Sequence, residues 1–161
     1  MTSSATLSDC RTWRYQLRRE WDPLGKTVLF IGLNPSTADE TRDDPTIRRC
    51  IAFAKQWGYG ALCMVNLFAF RATNPLELRV AVDPIGPENE LYISAAYVQS
   101  HIAIAAWGNH GSLKGRAAWA TEKMELYCLG RNKNGSPKHP LYVPGTALPI
   151  GYSLLPLPEF K

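Results

Sequence analysis

Four short apolar runs, separated by segments of helical periodicity, leave this sequence few ways to fold. They are Val28-Leu29-Phe30-Ile31, ALCMVNLFAF over 61–70, IAIAAWG over 102–108 and ELYCLG over 125–130. A strand made only of apolar residues has no face suited to water, so each must be covered on both sides. The segments between them supply the cover. Asp44-Pro45 sets a capping carboxylate before a proline, which is how a helix starts, and Ile47, Cys50, Ile51 and Ala54 follow at helical spacing until Gly58. A short helix is expected over 75–82, a longer one from Gly86-Pro87 to about Ser100, and another from Lys114 to Met124. Strands alternating with helices predict a three-layer α/β/α arrangement around a four-stranded parallel sheet, with strands at 27–32, 60–66, 102–107 and 125–130.

The N-terminal region follows a different period. Trp13, Tyr15, Leu17, Arg19 and Trp21 share one parity, with Arg14 and Arg18 on the other. This reads as a half-exposed strand over 12–21. The turn residues Asp22-Pro23-Leu24-Gly25 then predict an antiparallel hairpin with 27–32 at the sheet edge. The tail, 131–161, is rich in Pro and Gly and is expected to be mostly loop. At 161 residues the chain is read as a single domain, 1–161.

Composition narrows the class of partner. Lys and Arg number 18 against 14 Asp and Glu, a net charge of +4 that suits a polyanionic partner without requiring one. No apolar run approaches the ~20 residues of a membrane helix, and MTSSATLSDC lacks the pattern of a secretory leader. The expectation is a cytoplasmic monomer with no membrane partner. The four cysteines, Cys10, Cys50, Cys63 and Cys128, form no C-x-x-C pair and have no metal-finger spacing. Asp39, Glu40, Asp43 and Asp44 read as a solvated face plus a helix cap, with a divalent metal on Asp39 and Asp43 the minority reading. No metal and no cofactor is expected.

In parallel sheets, ligands bind beyond the carboxyl ends of the strands. Those ends carry Asn34 and Ser36; Asn66; Asn109, His110, Ser112 and Lys114; and His139. This is a set of neutral hydrogen-bonding groups with two histidines and one lysine. It contains no P-loop, no dinucleotide fingerprint and no nucleophile–histidine–acid order. A side-chain amide offers one acceptor and two donors, which suits the edge of a nucleobase.

Four blocks in order resemble the uracil-DNA glycosylase superfamily: GLNPS, MVNLFAFRA, WGNHGSLKG and KHPLYVP. The first is most similar to the branches carrying Asn-Pro rather than Asp-Pro. The chain also looks like a family of uncharacterised bacterial and phage proteins that share LNPSTAD and DDPTIRRC. The first resemblance implies a sheet order of 2-1-3-4. It gives Asn34 the task of positioning water or stabilising the sugar cation, and gives His139 that of donating to the departing base. Leu33, Ser36 and Asn66 would contact the base, and Asn109, His110, Ser112 and Lys114 the DNA phosphates. Three departures are visible. Asn34 stands for Asp, Ser36 stands where the uracil-specific branch has a bulky Tyr, and no aromatic residue between 37 and 52 is available to stack on a base. The resemblance therefore implies a DNA glycosylase-like protein acting by base flipping on a damaged or 5-substituted pyrimidine. DNA or a nucleotide would be its partner. The alternatives are an enzyme of modified-nucleotide metabolism acting on free nucleotides, or a non-catalytic module that binds modified bases.

Overall fold

The computed structural model describes residues 1–154. These form one mixed sheet of seven strands: β1 (Thr2–Leu7), β2 (Arg14–Glu20), β3 (Thr27–Gly32), β4 (Ala61–Asn66), β5 (Ile102–Ala105), β6 (Leu126–Cys128) and β7 (Ile150–Ser153). Their order is β1-β2-β4-β3-β5-β6-β7. The α/β class holds, and the sheet is wider than four parallel strands. Its centre is parallel, β4 and β5 flanking β3 and β6 following β5, while β1, β2 and β7 run antiparallel to their neighbours.

Two expectations are corrected. Strand 12–21 does not form a hairpin with 27–32, because β3 has β4 on one side and β5 on the other and so has no free ladder edge. β2 pairs with β4 instead, and β1 covers its outer side, so β2 is not the edge strand. The tail is not all loop, since β7 closes the otherwise unpaired side of β6. The expectation for 155–161 lies outside the described residues.

The apolar runs alternate between two cores. Val28, Phe30, Leu62, Met64 and Ile104 pack with Ile47, Cys50 and Phe53 of α1 (Pro45–Gln56). Their neighbours Leu29, Ile31, Cys63, Val65 and Ala105 pack on the opposite face, against Ile93 and Ala96 of α3 (Asn89–Gln99) and Ala120 of α4 (Arg116–Lys123). Burying both faces is what an uninterrupted run requires, and each such Leu, Ile or Phe contributes about 1.5–3 kcal/mol. Cys50, Cys63 and Cys128 are buried and Cys10 is exposed.

Helix starts follow local chemistry. At α1, Asp44 Oδ1 accepts from Ile47 N at 2.9 Å with Pro45 at the first position. The helix expected over 75–82 shrinks to α2 (Glu77–Val80). The one expected from Lys114 begins only at Arg116, because Lys114 (φ 53°) and Gly115 (φ 68°) are left-handed, and two 3₁₀ turns, Gly108–His110 and Leu113–Gly115, occupy the approach. Among the described residues no helix is long and apolar enough to cross a membrane.

Candidate functional site

The four parallel strands end on the same side, and their loops enclose a pocket of about 350 Å³. Leu33, Asn34 and Ser36 come from the loop after β3, Asn66 from the last position of β4, and Asn109 and His110 from the turn after β5. His139 comes from the loop after β6. Ser112 and Lys114 are not among the lining residues. They are exposed on the approach to α4, short of the helix terminus at which the sequence reading placed them.

Asn66 is 2% exposed, and among the described residues its Nδ2 has no hydrogen-bond partner. Its amide lies across Gly32, where a Cβ would meet Asn66 Oδ1 at 2.6 Å, so the glycine leaves the room that the amide fills. The backbone beneath it is braced. Asn89 Nδ2 donates to Asn66 O (2.9 Å) and Leu67 O (3.1 Å), and Arg116 Nε donates to Leu67 O (2.9 Å). A buried amide nitrogen without an acceptor costs stability. Asn66 is among the residues that line the pocket.

Asn34 is oriented the other way. Its Nδ2 donates to Ala72 O (2.8 Å) and Pro35 O (3.1 Å), which leaves Oδ1 as an acceptor. Half-buried His139 accepts from Leu141 N on Nδ1 at 3.2 Å. Burial lowers its pKa from the ordinary histidine value and the Asp44 carboxylate partly opposes this. A neutral ring with Nδ1 accepting carries its proton on Nε2, so His139 is a donor. Asn109 bridges two loops: its Oδ1 accepts from Asn132 Nδ2 (3.1 Å) and Ser136 Oγ (2.9 Å).

Four further lining residues, Arg14, Asp44, Trp107 and Tyr142, bear on the site's chemistry. Arg14 was assigned to the outward face of its strand, yet it is 2% exposed and lines the pocket. Because β2 runs antiparallel to β4, the start of β2 lies beside the end of β4, and Arg14 N bonds to Ala69 O at 2.9 Å. Knowing that register would have found it. Asp44 was read as a cap only; it caps α1 and also lines the pocket. Trp107, 3% exposed, and Tyr142, 79% exposed, supply the aromatic surface. Gly111 is required beside Trp107, since a Cβ there would sit 2.3 Å from Trp107 Cδ1.

The other charged groups are engaged elsewhere. Asp39 Oδ1 accepts from Thr41 N and Arg42 N, bonds that hold its carboxyl below the usual range. Asp43 pairs with buried Arg19 at 2.8 Å. Arg49 is bound to Pro140 O and Val143 O, Arg48 to Asp43 O, Arg131 to Tyr152 O, and Arg18 to Glu20. Arg14 is the one Arg or Lys among the residues that line the pocket, and among the described residues no three His, Cys, Asp or Glu side chains converge as metal ligands.

A family model described as "Protein of unknown function (DUF1643)" matches residues 14–141, from Arg14 at one wall of the pocket to the turn after His139. The chain belongs to the DUF1643 family. No curated protein and no solved structure matches this DUF1643 chain. Nothing in these comparisons links it to the glycosylases that its motifs resemble. Every residue lining the pocket falls inside the DUF1643 span except Tyr142, which is one position beyond it.

Proposed function

We propose that the pocket binds a pyrimidine base and that the protein is a DNA glycosylase-like enzyme for a damaged or 5-substituted pyrimidine. The observation that carries this reading is the buried, unpartnered Nδ2 of Asn66 in a pocket of about 350 Å³, a volume suited to a small ligand. Asn66 Nδ2 is a donor for a pyrimidine carbonyl. Asn34 Oδ1 is an acceptor, and His139 Nε2–H is a second donor. Trp107 and Tyr142 offer flat apolar surface in place of the aromatic residue absent between 37 and 52. Ser36, small where the uracil-specific pattern has Tyr, leaves space for a 5-substituent.

Hydrolysis of the glycosidic bond needs an oriented water and a way to spread charge on the leaving base. In this reading Asp44 and Asn34 Oδ1 orient the water. Its oxygen bonds to C1′, its proton passes to the Asp44 carboxylate, and the C1′–N1 pair departs with the base. His139 Nε2–H donates to the base carbonyl as negative charge develops there.

The test is release of free base from oligonucleotides carrying uracil, thymine or 5-hydroxymethyluracil, single- and double-stranded, read as alkali-labile abasic sites. Asp44→Asn separates chemistry from folding. Asn caps a helix as well as Asp, so stability should hold while release falls at least 100-fold. Base release from nucleotides but not from DNA would transfer the reading to modified-nucleotide metabolism. Binding of nucleosides without release would make it a recognition module. Neither binding nor release with any of these bases would refute the base pocket.

A further inference from the structure

Arg14 and Arg71 differ from the arginines around them. Arg11, Arg18, Arg19 and Arg116 each pair with a carboxylate, on Glu40, Glu20, Asp43 and Glu90 respectively. Among the described residues Arg14 and Arg71 have no ion pair. Both nonetheless have a buried Nε without a partner among the described residues. Arg14 uses one nitrogen, Nη1, on Ala38 O at 2.9 Å, and Arg71 makes one long bond, Nη1 to Arg11 O at 3.4 Å. The two guanidiniums also repel. Burial lowers the Arg14 pKa to about 10, Asp44 opposes this, and Arg71 adds to the lowering.

Their placement gives this a meaning. Arg14 lines the main pocket. Arg71 lines a shallow groove of about 460 Å³ beside it, together with Thr12, Phe70 and Thr73. Ser36 lines both, so it forms the shared rim. Glu77, also on the groove, has its Oε2 on Asn74 N at 3.3 Å. Two like charges near each other, neither in an ion pair with a carboxylate among the described residues, repel, and an anion between them offsets that. Phosphate oxygens match the fork of a guanidinium, and the charge assistance makes such bonds strong.

We propose that the rim at Ser36, between Arg14 and Arg71, is a phosphate site, so that the ligand is a phosphorylated nucleotide with its base in the main pocket and its phosphate in the groove. This rests on the base-pocket reading only for what lies next to the phosphate. The shared chemistry is a phosphate one sugar away from a pyrimidine, whether the monoester of a nucleotide or the diester of a strand. The site also moves the anion contact from Ser112 and Lys114, which do not line the pocket, to the rim at Ser36.

The experiment is calorimetric titration of the wild type and Arg71→Gln with five probes: thymidine, its 5′-monophosphate, its 3′-monophosphate, a thymine-containing single-stranded hexamer, and inorganic phosphate. Arg71 is half-buried and makes one long hydrogen bond, so the variant should fold. The expected result is at least tenfold tighter binding of a monophosphate or the hexamer than of thymidine, a gain that Arg71→Gln removes without altering thymidine affinity. A gain confined to a monophosphate assigns a monoester, and one confined to the hexamer assigns a backbone diester; either supports the site. If thymidine does not bind but inorganic phosphate binds in an Arg71-dependent way, the phosphate site stands and the base reading falls. If thymidine binds and no phosphate adds affinity, or Arg71→Gln keeps the gain, the phosphate site is overturned.

Discussion

Two neighbouring asparagines should respond in opposite directions to the same substitution. Asn66 Nδ2 is buried without a partner, whereas Asn89 Nδ2 holds two carbonyls, Asn66 O and Leu67 O. A buried unsatisfied polar group costs about 1–3 kcal/mol, and replacing it with an apolar group of the same branching removes that cost. Asn66→Leu keeps the number of side-chain heavy atoms and should therefore stabilise the ligand-free protein by about 1 kcal/mol. For a chain of this size that corresponds to a rise in Tm of about 2–4 °C. Asn89→Leu strands Asn66 O and leaves Leu67 O with Arg116 Nε. Asn89 Oδ1 is itself unpartnered, and its removal offsets part of the loss. The net should be a destabilisation of about 1–2 kcal/mol. Urea denaturation without ligand measures both. In parallel, Asn66→Leu should abolish nucleoside binding despite its greater stability. If Asn66→Leu instead loses more than about 1 kcal/mol, the amide is already satisfied in the free protein and is not waiting for a ligand.

Two further predictions concern the pocket's supports. The folded pKa of His139 is lowered from 6.5, by burial first, so the unfolded chain takes up a proton that the folded one resists; stability should fall as pH drops below about 6.5. Denaturation at pH 7.5, 6.5 and 5.5 should show this decline reduced in His139→Gln, and an undiminished slope in the variant would contradict it. Arg19 is 1% exposed and joins Asp43 (2.8 Å) to the carbonyls of Asp39 (2.6 Å) and Arg42 (3.2 Å). Arg19→Met should cost about 2–3 kcal/mol, below the range for a fully buried pair because Asp43 is partly exposed, and should speed tryptic cleavage after Arg42; an unchanged cleavage rate would show that the loop holds without it.

Several features of the fold were legible because they depend on near neighbours in the chain. Phe30 and Ile31 face different cores, which only a strand covered on both sides allows, and the apolar run stated as much. Asp44-Pro45 located the start of α1 because a cap is a property of four consecutive residues. Asn34 and Asn66 could be placed at strand ends for the same reason. What was not legible depended on pairing at a distance. The alternation over 13–21 identified a strand but not its neighbour, so Arg14 was turned to solvent when its register with β4 brings it to the pocket. Asp44 has one local role and one tertiary role, and the local one hid the other. The late start of α4 followed from the left-handed backbone at Lys114, a conformation that a lysine does not announce.

The stitching of chain just past β4 determines which side of the pocket can move. Leu67 N bonds to Gly32 O and Phe68 N to Leu33 O, each at 2.9 Å, so the ladder between β3 and β4 continues into what would otherwise be free loop. Leu67 O is gripped from below by Asn89 and Arg116. Residues tied in this way open only with the cooperative unit that contains the core. Amides 67 and 68 should thus exchange with solvent almost as slowly as those of the central strands. A ligand cannot enter by peeling that wall away. Any breathing that admits or releases it falls to the opposite wall, where the exposed side chains of His110 and Tyr142 stand at the mouth.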